Sequence, residues 1–200
     1  MTTQPRRSKI TPEREQEFYE AALDLLREDG YEALTMEGVA ARSRCGKSTL
    51  YRQWGTKQRL IAAALHGTRC ARLADIDTGT LEGDLRAMAR SAAQFSGRDT
   101  SLMHALGHAV LQNPELLRAL RETLVEPEVA AINGVVRRAV ERGEIAPDNP
   151  AVEFVAVQLS GVIRARPILE GRPADEAYLT RFIEASILPA LAPRQGSALG

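Results

Sequence analysis

The chain has 200 residues, 44% apolar and 26% charged, with 26 Lys/Arg balanced by 26 Asp/Glu. That composition supports a packed core and excludes a wholly disordered chain. The neutral total hides an asymmetry: residues 1–72 hold 13 Lys/Arg and 9 Asp/Glu, net +4, and residues 73–200 hold 13 and 17, net −4, so the front is the expected nucleic-acid surface.

Residues 1–10 are polar and basic and read as a mobile arm; Arg6, Arg7 and Lys9 lead into no apolar run, so no signal peptide is expected. Thr11-Pro12-Glu13 predicts a helix start, with Thr as the cap, Pro in the first turn and acids beside the positive end of the helix dipole. Phe18, Ala21, Ala22, Leu25 and Leu26 recur at helical spacing, and Gly30 is the expected stop. After a link at Tyr31–Leu34, Thr35 caps a second helix with Met36, Val39 and Ala40 facing inward. A third helix is expected from Lys47 to Trp54 with Leu50 and Trp54 on its apolar side, and a fourth after Thr56 with Leu60, Ile61, Ala64 and Leu65 on one face.

Asp75–Gly79 reads as a loop. Beyond it, helical periodicity predicts helices near 81–95, 101–112, 114–142, 149–169 and 174–191, with Pro127 expected to kink or split the long central one. Gly143, Pro147, Pro150, Gly171 and Pro173 mark connections, and residues 193–200 form a small-residue tail. No strand pattern stands out, and no run of about 18 apolar residues predicts a transmembrane helix. The chain reads as cytoplasmic, with Cys45 and Cys70 as free thiols.

The second and third helices carry the chemistry. Gly38 to Ala74 contains no acid, while it holds Arg42, Arg44, Lys47, Arg52, Lys57, Arg59, Arg69 and Arg72. A one-sided run of charge suggests a polyanionic partner, and two short helices joined by a tight turn suggest a DNA reader. Lys47 can donate to guanine O6 and N7, and Thr49 can touch a thymine methyl. Ser48 is short enough to let the backbone come close. Arg52 can reach bases or phosphate. Tyr51, Lys57 and Thr35 suit phosphates, and Arg42 and Arg44 can clamp the backbone before the helix.

Plainer readings stand beside these. Lys47 and Arg52 also fit a solvated basic helix, and Tyr51 a core tyrosine. Gly46-Lys47-Ser48-Thr49 mimics the end of a phosphate-binding loop, but Ala41 stands where that loop needs Gly, and no strand precedes it. Cys45 is read as an inert turn residue rather than a redox sensor, and Cys70 likewise.

With its first helix ending in Gly, its Thr-capped second helix and the run TLYRQW followed by Gly55, Thr56 and Lys57, the chain resembles the tetracycline-repressor (TetR) family of transcription regulators over about residues 11–66. The resemblance implies an all-α fold: an N-terminal three-helix helix-turn-helix DNA-binding domain and a C-terminal helical domain for ligand binding and dimerisation. It places Thr35, Lys47, Ser48, Thr49, Tyr51, Arg52 and Lys57 at DNA-contact positions and Trp54 at an aromatic core position. The chain departs from the family pattern at Arg44, where the turn usually carries Gly; a left-handed backbone there costs another residue about 1 kcal/mol.

From about residue 67 to 192 the resemblance implies the ligand-binding and dimerisation domain. Residues 151–163 are apolar nearly all round, and Tyr178, Leu179, Phe182, Ile183, Ile187, Leu188 and Leu191 follow near the end. Val155, Leu159, Val162, Phe182, Ile183 and Ile187 are the expected dimer interface, unless they bury against the chain's own core. Met88, His104, His108, Gln158 and Arg164 are candidates for an inducer pocket. His104 and His108 share a helix face at metal-ligand spacing, but no further ligand lies nearby in sequence, so no metal and no cofactor are expected. No catalytic constellation is found. The expected partners are a near-palindromic double-stranded DNA operator, a small-molecule inducer of unknown identity and a second copy of the chain; no membrane partner is expected. A helical small-molecule binder without operator function, and an activator on the same scaffold, remain the alternatives to a repressor.

Overall fold

The computed structural model describes residues 10–69, 73–96 and 100–192, and the described residues contain helices and no strands. The expected arm lies, but for Ile10, outside the described residues, as do the tail and Cys70. Two compact units emerge. One runs to Arg69 and also takes in His104–Thr123; the other comprises Cys70–Met103 and the chain from Leu124. The sequence reading assigns 104–123 to the second domain.

In the first unit α1 spans Pro12–Ala33. Thr11 Oγ1 accepts from the Arg14 amide at 3.3 Å, and Pro12 opens the helix. Phe18, Ala21, Ala22, Leu23 and Leu26 are buried; Leu23 takes the place expected for Leu25, which is half-buried. Gly30 breaks the helix with φ 79°, a region that favours glycine, and the expected link at Tyr31 is a further helical turn that buries the tyrosine. Helix α2 (Met36–Arg42) and α3 (Lys47–Trp54) follow, with Met36, Val39, Ala40, Leu50 and Trp54 buried as expected. Helix α4 (Lys57–Arg69) buries Leu60, Ile61, Ala64 and Leu65. It packs against α1 and against α7 (Pro114–Leu120), the helix that follows α6 (Thr100–Gln112). Trp54 is the hinge of this small core: its ring meets Phe18 and Tyr19 edge-on at 5.7 and 5.8 Å between centroids.

The second unit contains α5 (Leu81–Ser96), α8 (Glu126–Glu141), α9 (Val155–Glu170), α10 (Glu176–Phe182) and α11 (Leu188–Leu191). Its core joins Leu85 and Met88 of α5, Val135 and Ala139 of α8, Val155 and Leu159 of α9, Leu179 of α10 and the following Ile183 and Ile187. The long segment 114–142 changes its helical geometry just before Pro127 but stays helical through Glu141. A π turn at Arg121–Val125 separates α7 from α8, and Pro127 lies in the first turn of α8, where its missing N–H costs least. The loop before α5 is pinned by a buried carboxylate: Asp84 Oδ1 accepts from the Thr78 amide at 2.6 Å and from its hydroxyl at 2.8 Å. Glu144 Oε2 caps α5 by accepting from the Leu81 amide at 2.7 Å.

Candidate DNA-binding surface

Helix α2 begins where Thr35 Oγ1 accepts the Gly38 amide at 3.0 Å. It ends in a Schellman turn: the Cys45 amide donates to Ala40 O at 2.9 Å and the Arg44 amide to Ala41 O at 3.2 Å. This geometry needs a left-handed residue between them. Arg44 supplies it, with φ 51°, and is the one non-glycine residue with positive φ among the described residues. The position that departs from the expected glycine is therefore left-handed, and Arg44 carries the cost of about 1 kcal/mol.

The turn is braced from α1. Arg14 Nη2 donates to Ser43 O at 2.6 Å and Arg44 O at 3.3 Å, while its guanidinium lies 4.8 Å from the Phe18 ring and pairs with Glu17. The Ser43 hydroxyl is buried and donates to Val39 O at 2.6 Å. Carbonyls that a tight turn would leave to solvent are thereby satisfied by protein. Sequence reasoning misses Arg14, because it lies 29 residues from Ser43 and its own helix explains its presence.

Helix α3 leaves this turn with Leu50 and Trp54 buried and Lys47, Ser48, Tyr51 and Arg52 exposed; Thr49 is half-buried. Tyr51 keeps 47% of its surface open, so it is not a core tyrosine. An eight-residue helix is thus held by two large apolar side chains and presents hydroxyls and cations on the other side. Thr35 and Arg44 are also exposed. The basic residues are not all idle. Lys47 Nζ lies 3.3 Å from Glu37 of α2, and Arg42 donates to Glu28 of α1 at 2.5 Å, which lowers the Glu28 pKa and raises that of Arg42. Lys57, at the start of α4, is half-buried: its Nζ donates to Tyr31 O at 2.9 Å and sits 4.1 Å from the centre of the Tyr31 ring. Loss of solvent pushes its pKa down, against the pull of Glu32.

The other predicted sites fare differently. Val155, Leu159, Ile183 and Ile187, expected at a dimer interface, are buried in the chain's own core; Val162 and Phe182 are half-buried against it. Apolar periodicity marks burial and does not say which chain does the burying. The apolar side chains left exposed around α9 are Phe154, Val157, Ile168 and Leu169. Of the pocket candidates, Met88 is a core residue, Gln158 is half-buried and His108 is exposed. The His104 side chain lies outside the described residues. His108 belongs to the first unit, whereas Met88, Gln158 and Arg164 belong to the second. Arg164 is taken up by a two-pronged pair with Glu128, at 3.3 and 3.0 Å, and donates to Ser160 O at 2.7 Å. Among the described residues no three His, Cys, Asp or Glu side chains are grouped to hold a metal ion, and no helix is long and apolar enough to cross a membrane.

Two family models match this chain. "Bacterial regulatory proteins, tetR family" covers residues 18–64, and "Tetracyclin repressor-like, C-terminal domain" covers residues 75–186. The chain belongs to the TetR family. An uncharacterized HTH-type transcriptional regulator of Mycobacterium tuberculosis is 33% identical over 184 residues, 92% of this chain and 90% of the relative. The DNA-binding transcriptional repressor TetR of Mycobacteroides abscessus is 33% identical over 178 residues, 86% of this chain and 90% of the relative. A crystal structure of a TetR family transcription regulator superposes with a TM-score of 0.69 at 29% identity, covering 90% of this chain and all of that one. The flavonoid-responsive regulator FrrA shares the fold, with a TM-score of 0.65 at 23% identity over 92% of this chain and all of that one. TetR family membership makes the α2–α3 pair a helix-turn-helix and the chain a transcriptional regulator.

Proposed function

We propose that the chain is a homodimeric repressor that reads a near-palindromic operator through α3 and is released when a small molecule binds its C-terminal domain. Residues 11–66 serve as the DNA-binding domain and 67–192 as the ligand and dimer domain. The observation that carries this reading is the two-sided character of α3: Leu50 and Trp54 fix it to the core, while Lys47, Ser48, Tyr51 and Arg52 remain exposed beside Thr35 and Arg44. A helix so mounted can enter the major groove with its first turn toward the bases.

Lys47 is the base reader, with Ser48 and Thr49 allowing close approach. Thr35, Arg44, Tyr51 and Lys57 are phosphate anchors, and Arg52 lies between the two roles. The relative named as a DNA-binding transcriptional repressor supports repression, and the flavonoid-responsive neighbour supports a ligand-responsive use of the fold. The exposed Phe154, Val157, Ile168 and Leu169 supply apolar surface for a second copy, whose twofold axis would present two α3 helices to successive major grooves about 34–36 Å apart. A ligand that favours a different spacing needs a coupling of only about 1–3 kcal/mol to weaken operator binding roughly 5–150-fold.

Titrating operator and random duplexes against Lys47→Ala and Lys57→Ala variants over a salt series tests the division of roles. Lys47→Ala is expected to relax preference at one base position at a cost of about 1–3 kcal/mol. Lys57→Ala is expected to weaken all sequences alike and to reduce the salt slope by about one. An unchanged base preference in Lys47→Ala would remove Lys47 from the role of reader.

A further inference from the structure

Lys47 is a poor reader by itself. Its ammonium is a point charge on a flexible four-carbon stem, and nothing in that chemistry favours a guanine edge over a nearby phosphate. Yet Lys47 is not loose. Glu37, in the first turn of α2, reaches across to α3 and holds Nζ at 3.3 Å. Both side chains are exposed, at 63% for Lys47 and 47% for Glu37, so their pairing contributes little to stability and needs another explanation. Its place is also odd. Glu37 immediately precedes the acid-free run from Gly38 to Ala74, and it lies on the helix that crosses the DNA backbone when a helix-turn-helix docks. A carboxylate there repels phosphate. Among the described residues, Arg44 and Arg52 have no acidic partner and Arg42 pairs back to Glu28 of α1, so within α3 the pairing is particular to Lys47.

We infer that Glu37 is a specificity-determining residue: it cancels the attraction of Lys47 for phosphate and aims the ammonium at the base edges. The inference rests on the reading of α3 as the recognition helix. Specificity is a difference between affinities, and it can be raised by penalising the wrong partner as well as by favouring the right one. With Glu37 in place, Lys47 and Glu37 together bring no net charge to a random duplex. On the right sequence, guanine O6 and N7 take over the ammonium protons while the carboxylate stays close enough to fix the side chain's direction. Glu37 then works through Lys47 and is a positioning residue.

Two variants separate charge from aim. Glu37→Gln removes the repulsion. It is expected to tighten binding to random duplex about threefold to tenfold, to steepen the salt dependence by about 0.9, as for one further phosphate neutralised, and to narrow the ratio between selected and random duplexes. Glu37→Asp keeps the charge but withdraws it from Nζ. It is expected to keep the wild-type salt slope while relaxing preference at the base position that Lys47→Ala also relaxes. Both positions are exposed, and thermal unfolding of each variant checks that the fold is retained. In a Lys47→Ala background, Glu37→Asp should change no base preference. An unaltered ratio and base preference in both single variants would overturn the inference, while leaving α3 as the reader. Failure of the wild-type chain to select any sequence would instead overturn the reading on which the inference rests.

Discussion

At the turn between α2 and α3 an arginine holds a backbone conformation that favours glycine. Arg44 sits at φ 51° in a Schellman turn whose carbonyls Arg14 collects from α1. The left-handed backbone closes the cap of α2, but holding it with arginine rather than glycine costs about 1 kcal/mol, so the use of the arginine side chain is expected on the DNA side, where Arg44 is exposed. Arg44→Gly should therefore raise stability by about 0.5–1 kcal/mol in chemical denaturation and reduce the salt slope of DNA binding by about one. A variant that gained neither stability nor a shallower slope would show that the strain is not stored for binding. Tyr19 offers a pH test at the same scale. Burial against Trp54 pushes its pKa up to about 12, with the Glu15 charge adding to the rise. The folded chain keeps this proton when the unfolded chain has begun to lose it near the ordinary value of 10. Its contribution is complete below pH 10 and is lost as pH rises toward about 12. Tyr19→Phe is expected to flatten that alkaline loss. Lys57 works in the opposite sense: its lowered pKa makes stability rise with pH just below the ordinary lysine range.

The elements are held together by a few close approaches. Gly67 of α4 is one: a β-carbon there would stand 2.7 Å from the Tyr19 ring, which also packs edge-on against Trp54. Gly→Ala in a helix usually stabilises by up to about 1 kcal/mol, but a ring fixed by packing has little room to retreat, and overpacking costs about 1–3 kcal/mol. Gly67→Ala is therefore expected to lower the thermal midpoint; a rise would mean that α1 and α4 part easily. Helix starts and most inward faces of α1 to α4 were legible in the sequence because capping and helical spacing are local: Thr11, Thr35 and Thr56 each accept an amide three residues on, although Leu23 is buried in place of Leu25 and helix resumes after Gly30 to Ala33. Pro127 likewise announced the change of helical geometry before α8. What was not legible is long-range. Nothing near Arg14 says that it will brace a turn 29 residues away, and nothing near Lys47 says that Glu37 will hold it. Val155, Leu159, Ile183 and Ile187 read as apolar, which they are, but the pattern alone does not tell a partner's surface from the chain's own core.

For the whole molecule the charge asymmetry has a simple meaning. The basic front contains the helix-turn-helix, and the second unit is a helical body with an apolar core and ion-paired polar side chains such as Arg164 with Glu128. The predicted dimer would leave Phe154, Val157, Ile168 and Leu169 covered. Replacing Val157 and Ile168 by Glu is expected to shift the chain toward monomer in sedimentation while preserving helix content, because both side chains are exposed in the single chain. Monomers would then bind one half-site and lose the affinity that comes from linking two. A double variant that sedimented like the wild type would move the interface elsewhere. The most direct measurement of the central claim is selection of duplexes from a random-sequence pool by the purified chain at a fixed salt concentration. A near-palindromic consensus is predicted, with half-site centres about 10–10.5 base pairs apart or a multiple of that. Weak, salt-sensitive binding with no enriched sequence would contradict α3 as the reader of an operator.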